Sequence, residues 1–241
     1  MFTKKTRFAD MFSANNNLVL LMPRLGLGLG VGNRTVEEVC SLNNISADFV
    51  LLVCNMYTYC DYQPTMEDLE QTDLSMLVPY LRASHAYSIG ERMPHLERHL
   101  SGVVHRSDSR YVDAMMAFFE QYKREMSDHF AFEEQHVYPR LQGGKKVKGT
   151  ASSSNTQAIK QSGTQALKRS SNLSSSHIGM VDKISDLLQI LYKYMPSQAD
   201  TEELNELIFG LLQLSSDFER HAAIEEHVLM PYLHHLERRN R

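Results

Sequence analysis

Apolar positions return at three-to-four spacing along four long stretches, the mark of helices that bury one stripe. The first stretch carries Leu74, Leu77, Leu81, His85, Ile89, Met93, Leu96, Leu100 and Val103. The second carries Val112, Met115, Phe119, Tyr122, Met126, His129, Glu133 and His136. The third has His177, Met180 or Val181, Ile184, Leu188 and Leu191, with Pro196 as its stop. The fourth opens after Asp200 with Leu204, Leu207, Leu211, Leu214, Phe218, His221, Glu225, Val228 and Tyr232. Ser107-Asp108 supplies a turn and helix cap between the first two. The pattern predicts an all-α protein, with an up-down-up-down four-helix bundle over 73–239.

Residues 1–65 differ in character and predict a small helical N-terminal module. Thr35-Val-Glu-Glu38 is a capping box for a short helix to about Asn43. Ser46 caps a second helix from Ala47 to about Tyr59, which packs through Phe49, Leu52, Val53 and Met56. Gln63-Pro64-Thr65 marks a joint. Between Leu25 and Asn33 glycine takes every second position, which predicts a tight or mobile connection. It lacks the spacing of a dinucleotide-binding loop. Residues 143–172 are rich in Ser, Lys, Gly, Thr and Gln and predict a mobile insert within the bundle.

A formal net charge of −4 offers no electrostatic footprint for nucleic acid. The longest apolar runs, Leu18–Met22 and Phe49–Cys54, are too short to cross a bilayer. Lys4, Lys5 and Arg7 are followed by no apolar signal region, so a cytoplasmic location is expected. Cys40, Cys54 and Cys60 form a sparse, odd set, as in a reduced compartment. No local signature of a catalytic triad, a paired acid and base, or a cysteine nucleophile is present, which leaves enzymatic activity open.

Eleven histidines are the exceptional feature, and one falls on the apolar stripe of each long helix. Two stand in a repeated motif. His129 is followed by Glu133, Glu134 and Pro139, and His221 by Glu225, Glu226 and Pro231. Residues four apart share a helix face, so each copy aims an imidazole and a carboxylate the same way. With turns near Arg106 and Gln198, His85 and His177 lie 21 residues before a turn, and His129 and His221 lie 23 after one. In an up-down-up-down bundle all four stand at one height, roughly 30 Å from both turns.

Four imidazoles and two carboxylates without thiolate argue against structural zinc or an iron–sulfur cluster. Such sets suit Fe, Mn or Zn, and six donors divide over two ions, with Glu133 and Glu225 between them. The predicted metal set is His85, His129, Glu133, His177, His221 and Glu225. It is read as a di-iron centre with an oxo or hydroxo bridge, open to O₂ or NO. Glu134, His136, Tyr138, Glu226, His227 and Tyr232 are candidates to orient the imidazoles from behind. Pro139 and Pro231 are expected to kink or end their helices.

These residues resemble the hemerythrin-like (HHE cation-binding) family, and within it the iron–sulfur cluster repair di-iron proteins. The likeness rests on the six residues above over about 73–239. It extends along the first helix from His85-Ala-Tyr-Ser-Ile-Gly-Glu-Arg-Met-Pro to Val-Val-His105, which makes His105 a further candidate to support the site. Residues 25–60 resemble the repair proteins' small N-terminal domain, through Asn33-Arg-Thr-Val-Glu-Glu-Val-Cys40. Where that family carries a Cys-Cys pair, this chain has Gly-Leu-Gly-Val-Gly. The resemblance implies a bridged pair of iron ions and a role in oxidative and nitrosative stress, supplying iron to or repairing iron–sulfur proteins. The missing thiols keep open an O₂ or NO sensor acting through a protein partner. A bundle with vestigial ligands is the third reading.

Overall fold

The computed structural model describes residues 1–105, 112–142, 162–194 and 201–239. Among these the regular structure is helical, and the one pairing of extended backbone is an isolated bridge between Arg7 and Thr35. The expected Ser107-Asp108 turn, the Pro196 stop and the first part of the 143–172 insert lie outside the described residues. The chain divides into two compact units, Met1–His85 with Ala223–Arg239, and Ala86–Ala222.

The first unit begins with α1 (Phe8–Ala14) and a 3-10 turn at Asn16–Leu21. α2 (Val36–Leu42) starts at Thr35, whose side chain accepts from the Glu38 amide while Glu38 reaches back to the Thr35 amide. Ser46 caps α3 (Ala47–Thr58). The glycine run between them is a set of turns. Gly26, Gly30 and Gly32 have φ of 70°, 80° and 65°, where a Cβ would be strained. α4 (Met66–Gln71) follows a second capping box, Thr65 with Asp68. Phe49 meets Tyr80 edge-on at 6.1 Å, and the Tyr80 hydroxyl donates to that of Tyr57.

A buried amide ties the N-terminus into this unit. Asn55 accepts from the Phe2 amide at 2.8 Å and donates to the Phe2 carbonyl at 3.2 Å. Leucine at position 55 would fill the space but strand both backbone groups away from water. Asn55→Leu is expected to cost about 1–3 kcal/mol, read as a lower urea midpoint at unchanged slope.

In the second unit four helices share one core. They are α6 (Met93–His105), α7 (Val112–Phe132), α9 (Ser162–Tyr194) and α10 (Thr201–Ile224). Leu96, Phe119, Met126, Ile184, Leu211 and Phe218 interdigitate at its centre. α9 begins at Ser162, ahead of the expected end of the insert. Gln165, Ala166, Leu167, Lys168 and Arg169 all favour helix. Extending a helix already anchored by packing avoids the cost of a new nucleus.

The predicted first long helix is interrupted. It forms a 3-10 turn at Leu74–Met76, α5 (Leu77–Tyr87), a π turn at Ser88–Arg92, and α6. Two more π turns occupy Glu133–Val137 and Glu225–Leu229, before α8 (Tyr138–Gln142) and α11 (Met230–Arg239). In each, an amide donates five residues back: Met93 to Ser88, Tyr138 to Glu133, Met230 to Glu225. Each also has a proline six residues after its first residue, at Pro94, Pro139 and Pro231. Proline has no amide to give, and its ring presses on the carbonyl four residues earlier. The turn before it widens, and the helix continues beyond it.

Candidate metal centre

Inside the second unit, α7 and α9 bring two imidazoles onto one carboxylate. Nε2 of His129 lies 2.9 Å from Oε1 of Glu133, and Nε2 of His177 lies 3.3 Å from the same oxygen. Glu133 is fully buried, and His129, His177 and His221 are buried around it. The candidate donor atoms of His129, Glu133 and His177 all lie within 4.8 Å of one another, as do those of Glu133 and His221. Inside the first unit, His85 and Glu225 are both buried, with donor atoms within 4.8 Å.

Aromatic rings set the imidazole planes. Phe218 lies 6.2 Å from the His129 ring, 5.6 Å from His177 and 6.3 Å from His221. Phe130 flanks His221 at 5.8 Å. An apolar cage of this kind excludes water, raising both the cost of a bare carboxylate and its attraction for a cation. Nε2 of His129 approaches Glu133 closely yet makes no hydrogen bond there, because the geometry is out of line. Nε2 of His177, by contrast, is within hydrogen-bonding geometry of the same Glu133 oxygen.

Ser176 is a contributor that sequence reasoning missed. Its hydroxyl lies 3.2 Å from Nδ1 of His129, across from α9 to α7. It precedes His177 in an ordinary serine run, so no spacing announces it. A hydroxyl at Nδ1 restrains the ring and leaves Nε2 as the nitrogen turned toward Glu133. Ser176→Ala is therefore expected to lower metal affinity about 10–100-fold without unfolding the bundle. Competition with a chelator at fixed pH, beside circular dichroism, measures it.

The other candidates are spread around the motifs. Tyr138 is buried and Glu134 half-buried. His136 is exposed, stacked on Phe132 at 4.8 Å, with Nδ1 3.1 Å from the Phe132 carbonyl. Glu226, His227 and Tyr232 are half-buried. His105 is the last residue of α6, and its side chain lies outside the described set. What the sequence motif does not reveal is that Glu133 and Glu225 each open a π turn. Such turns interrupt the helical ladder and are frequent at functional sites.

Buried imidazoles with carboxylates on a helical scaffold define a class of metal-binding bundle, and part of this chain is similar to one such family. Residues 76–169 match the model of the hemerythrin HHE cation binding domain. Among individual proteins the chain is similar to the iron-sulfur cluster repair protein ScdA of Staphylococcus haemolyticus (strain JCSC1435). The two are 20% identical over 204 residues, covering 82% of this chain and 83% of that one.

Proposed function

We propose that His85, His129, Glu133, His177, His221 and Glu225 hold a pair of iron ions. We further propose that the chain supplies iron to, or repairs, iron–sulfur clusters damaged by oxidative and nitrosative stress. The observation that carries the reading is Glu133, a carboxylate with no exposed surface whose one oxygen faces two imidazole nitrogens. Two imidazoles are weak compensation for a buried carboxylate, whereas a metal cation is strong compensation. The cation-binding domain match and the repair protein at low identity support iron and the repair role respectively.

The donor set fits iron, which when bound supplies redox and Lewis-acid chemistry in a dry cavity. Glu133 and Glu225 supply the negative charge. The four imidazoles complete the set without adding more, so the site stays less anionic than an all-carboxylate one. Phe130 and Phe218 keep water from the rings. Ser176 restrains the orientation of the His129 imidazole. The working place under this reading is the cytoplasm, and the partners are iron–sulfur proteins. Among the described residues no helix is long and apolar enough to cross a membrane.

Incubating iron-loaded protein with a dehydratase whose cluster has been damaged tests the role. Recovery of dehydratase activity above a free-iron control is expected. Recovery no better than that control contradicts the repair role.

A second reading, an O₂ or NO sensor acting through a partner, is favoured by the thiols. Cys40 and Cys54 are buried, and burial pushes the Cys40 thiol up to about 11 and Cys54 higher still. Neither is a ready thiolate for handling iron or NO, and the exposed Cys60 is a single thiol rather than a pair. A reversible spectral change on gas exposure, with iron retained, distinguishes the sensor from the donor.

A further inference from the structure

A second group of metal-binding side chains lies in the same unit, where α6 packs against α10. His95 and His99 are four residues apart on α6, with ring centroids 4.5 Å apart. Candidate donor atoms of His95, His99 and Glu206 lie within 4.8 Å of one another. Both histidines are half-buried and Glu206 is exposed, so the group opens to solvent. None of the three belongs to the donor set proposed above.

The helix pair is built to hold this group. Arg92 donates to the Gly210 carbonyl at 3.2 Å, and Nδ1 of His99 meets Oε2 of Glu203 at 2.6 Å. With His95 set against Glu206, the contacts step down one helix as they step up the other, in a single antiparallel register. Glycines permit the close approach. A Cβ on Gly102 would stand 2.8 Å from the Glu203 carboxyl carbon, and one on Gly210 would stand 2.6 Å from Leu96. Gly102 thus makes the space in which Glu203 lies against His99.

That contact fixes the chemistry of His99. A carboxylate only accepts, so Nδ1 is the donor in this contact and Nε2 is the nitrogen left to face a metal. A carboxylate behind one ring nitrogen and a metal before the other is the usual support of a ligating histidine. Two imidazoles at helical i, i+4 spacing with a carboxylate from a facing helix make a three-ligand set. Three ligands suit zinc-class ions and leave a fourth position to water.

We propose that His95, His99 and Glu206 form a second, solvent-accessible site for a divalent ion of the zinc class, with Glu203 as the positioning residue for His99. The site clamps α6 to α10 and is independent of the iron-binding reading.

Cobalt titration of the iron-loaded full-length chain tests it, read by the visible bands of Co²⁺ bound to imidazole, with iron content monitored throughout. One saturable equivalent is expected, displaced by Zn²⁺ and not by Mg²⁺. His95→Ala and His99→Ala are each expected to weaken it at least tenfold while iron content is unchanged. Gly102→Ala, which pushes Glu203 off His99, is expected to weaken it less. Should a variant fold poorly, histidine ring signals of the wild-type chain under sub-stoichiometric Cu²⁺ give a second readout. Selective broadening of His95 and His99 supports the site. Absence of a cobalt band, unchanged affinity in both histidine variants, or broadening confined to other histidines overturns it.

Discussion

Glu133→Gln is expected to remove most of the bound metal while leaving the metal-free protein as stable as wild type, or more so. Glutamine keeps the volume of glutamate and deletes its charge. In the metal-free protein that charge sits with no exposed surface beside two imidazoles, an expensive place for a carboxylate. Under the proposed function the same charge is what attracts the ion in the loaded protein. The two states should therefore respond in opposite directions. Adding iron at a thousand times the dissociation constant stabilises a binding-competent fold by about 4 kcal/mol through mass action. The wild-type chain should show an iron-dependent gain of that order in thermal or denaturant unfolding, and Glu133→Gln should show little. A merely structural glutamate would give the reverse, with a loss of stability in the absence of metal and none specific to its presence.

Phe218→Ala is expected to have the largest effect on the fold itself, costing about 3–5 kcal/mol. The ring is 2% exposed, and it touches His129, Phe130, His177 and His221. Removing it opens a cavity in the shared core and frees three imidazoles to turn. Stability and metal retention should fall together. Phe218→Leu, which refills part of the space without a ring face, should recover more stability than metal affinity. Urea unfolding of metal-free protein beside chelator competition on loaded protein separates the two quantities.

Much of this architecture is legible from sequence because its causes are local. Thr35 and Ser46 announce α2 and α3 through cap chemistry that needs no distant partner. The start of α4 escapes the same reasoning because Asp68 stands where a capping box usually has Glu or Gln. The stripes that run from Met93 to Leu100 and from Leu207 to Phe218 are visible because a shared core forces apolar residues to one face. The extension of α9 back to Ser162 carries no stripe at all, so composition alone suggests an insert.

The site divides in the same way. The repeated His-x-x-x-Glu motifs name His129, Glu133, His221 and Glu225 directly. Ser176 answers to no motif, since its role depends on which helix lies opposite. The π turns fall between these cases. One wide turn barely disturbs the apolar period, yet a proline follows the start of each at the same distance, at Pro94, Pro139 and Pro231. A proline that seems to end a helix beside a candidate ligand instead follows a widened turn, as at Glu133 and Glu225.

The most direct measurement is iron content with Mössbauer spectroscopy of freshly purified full-length protein. About two irons per chain in one coupled pair are expected, as bundle-core carboxylate and histidine sites hold them. Protein that stays metal-free after expression in iron-rich medium, or that holds one isolated iron with Glu225→Gln unchanged from wild type, would contradict the proposed iron pair.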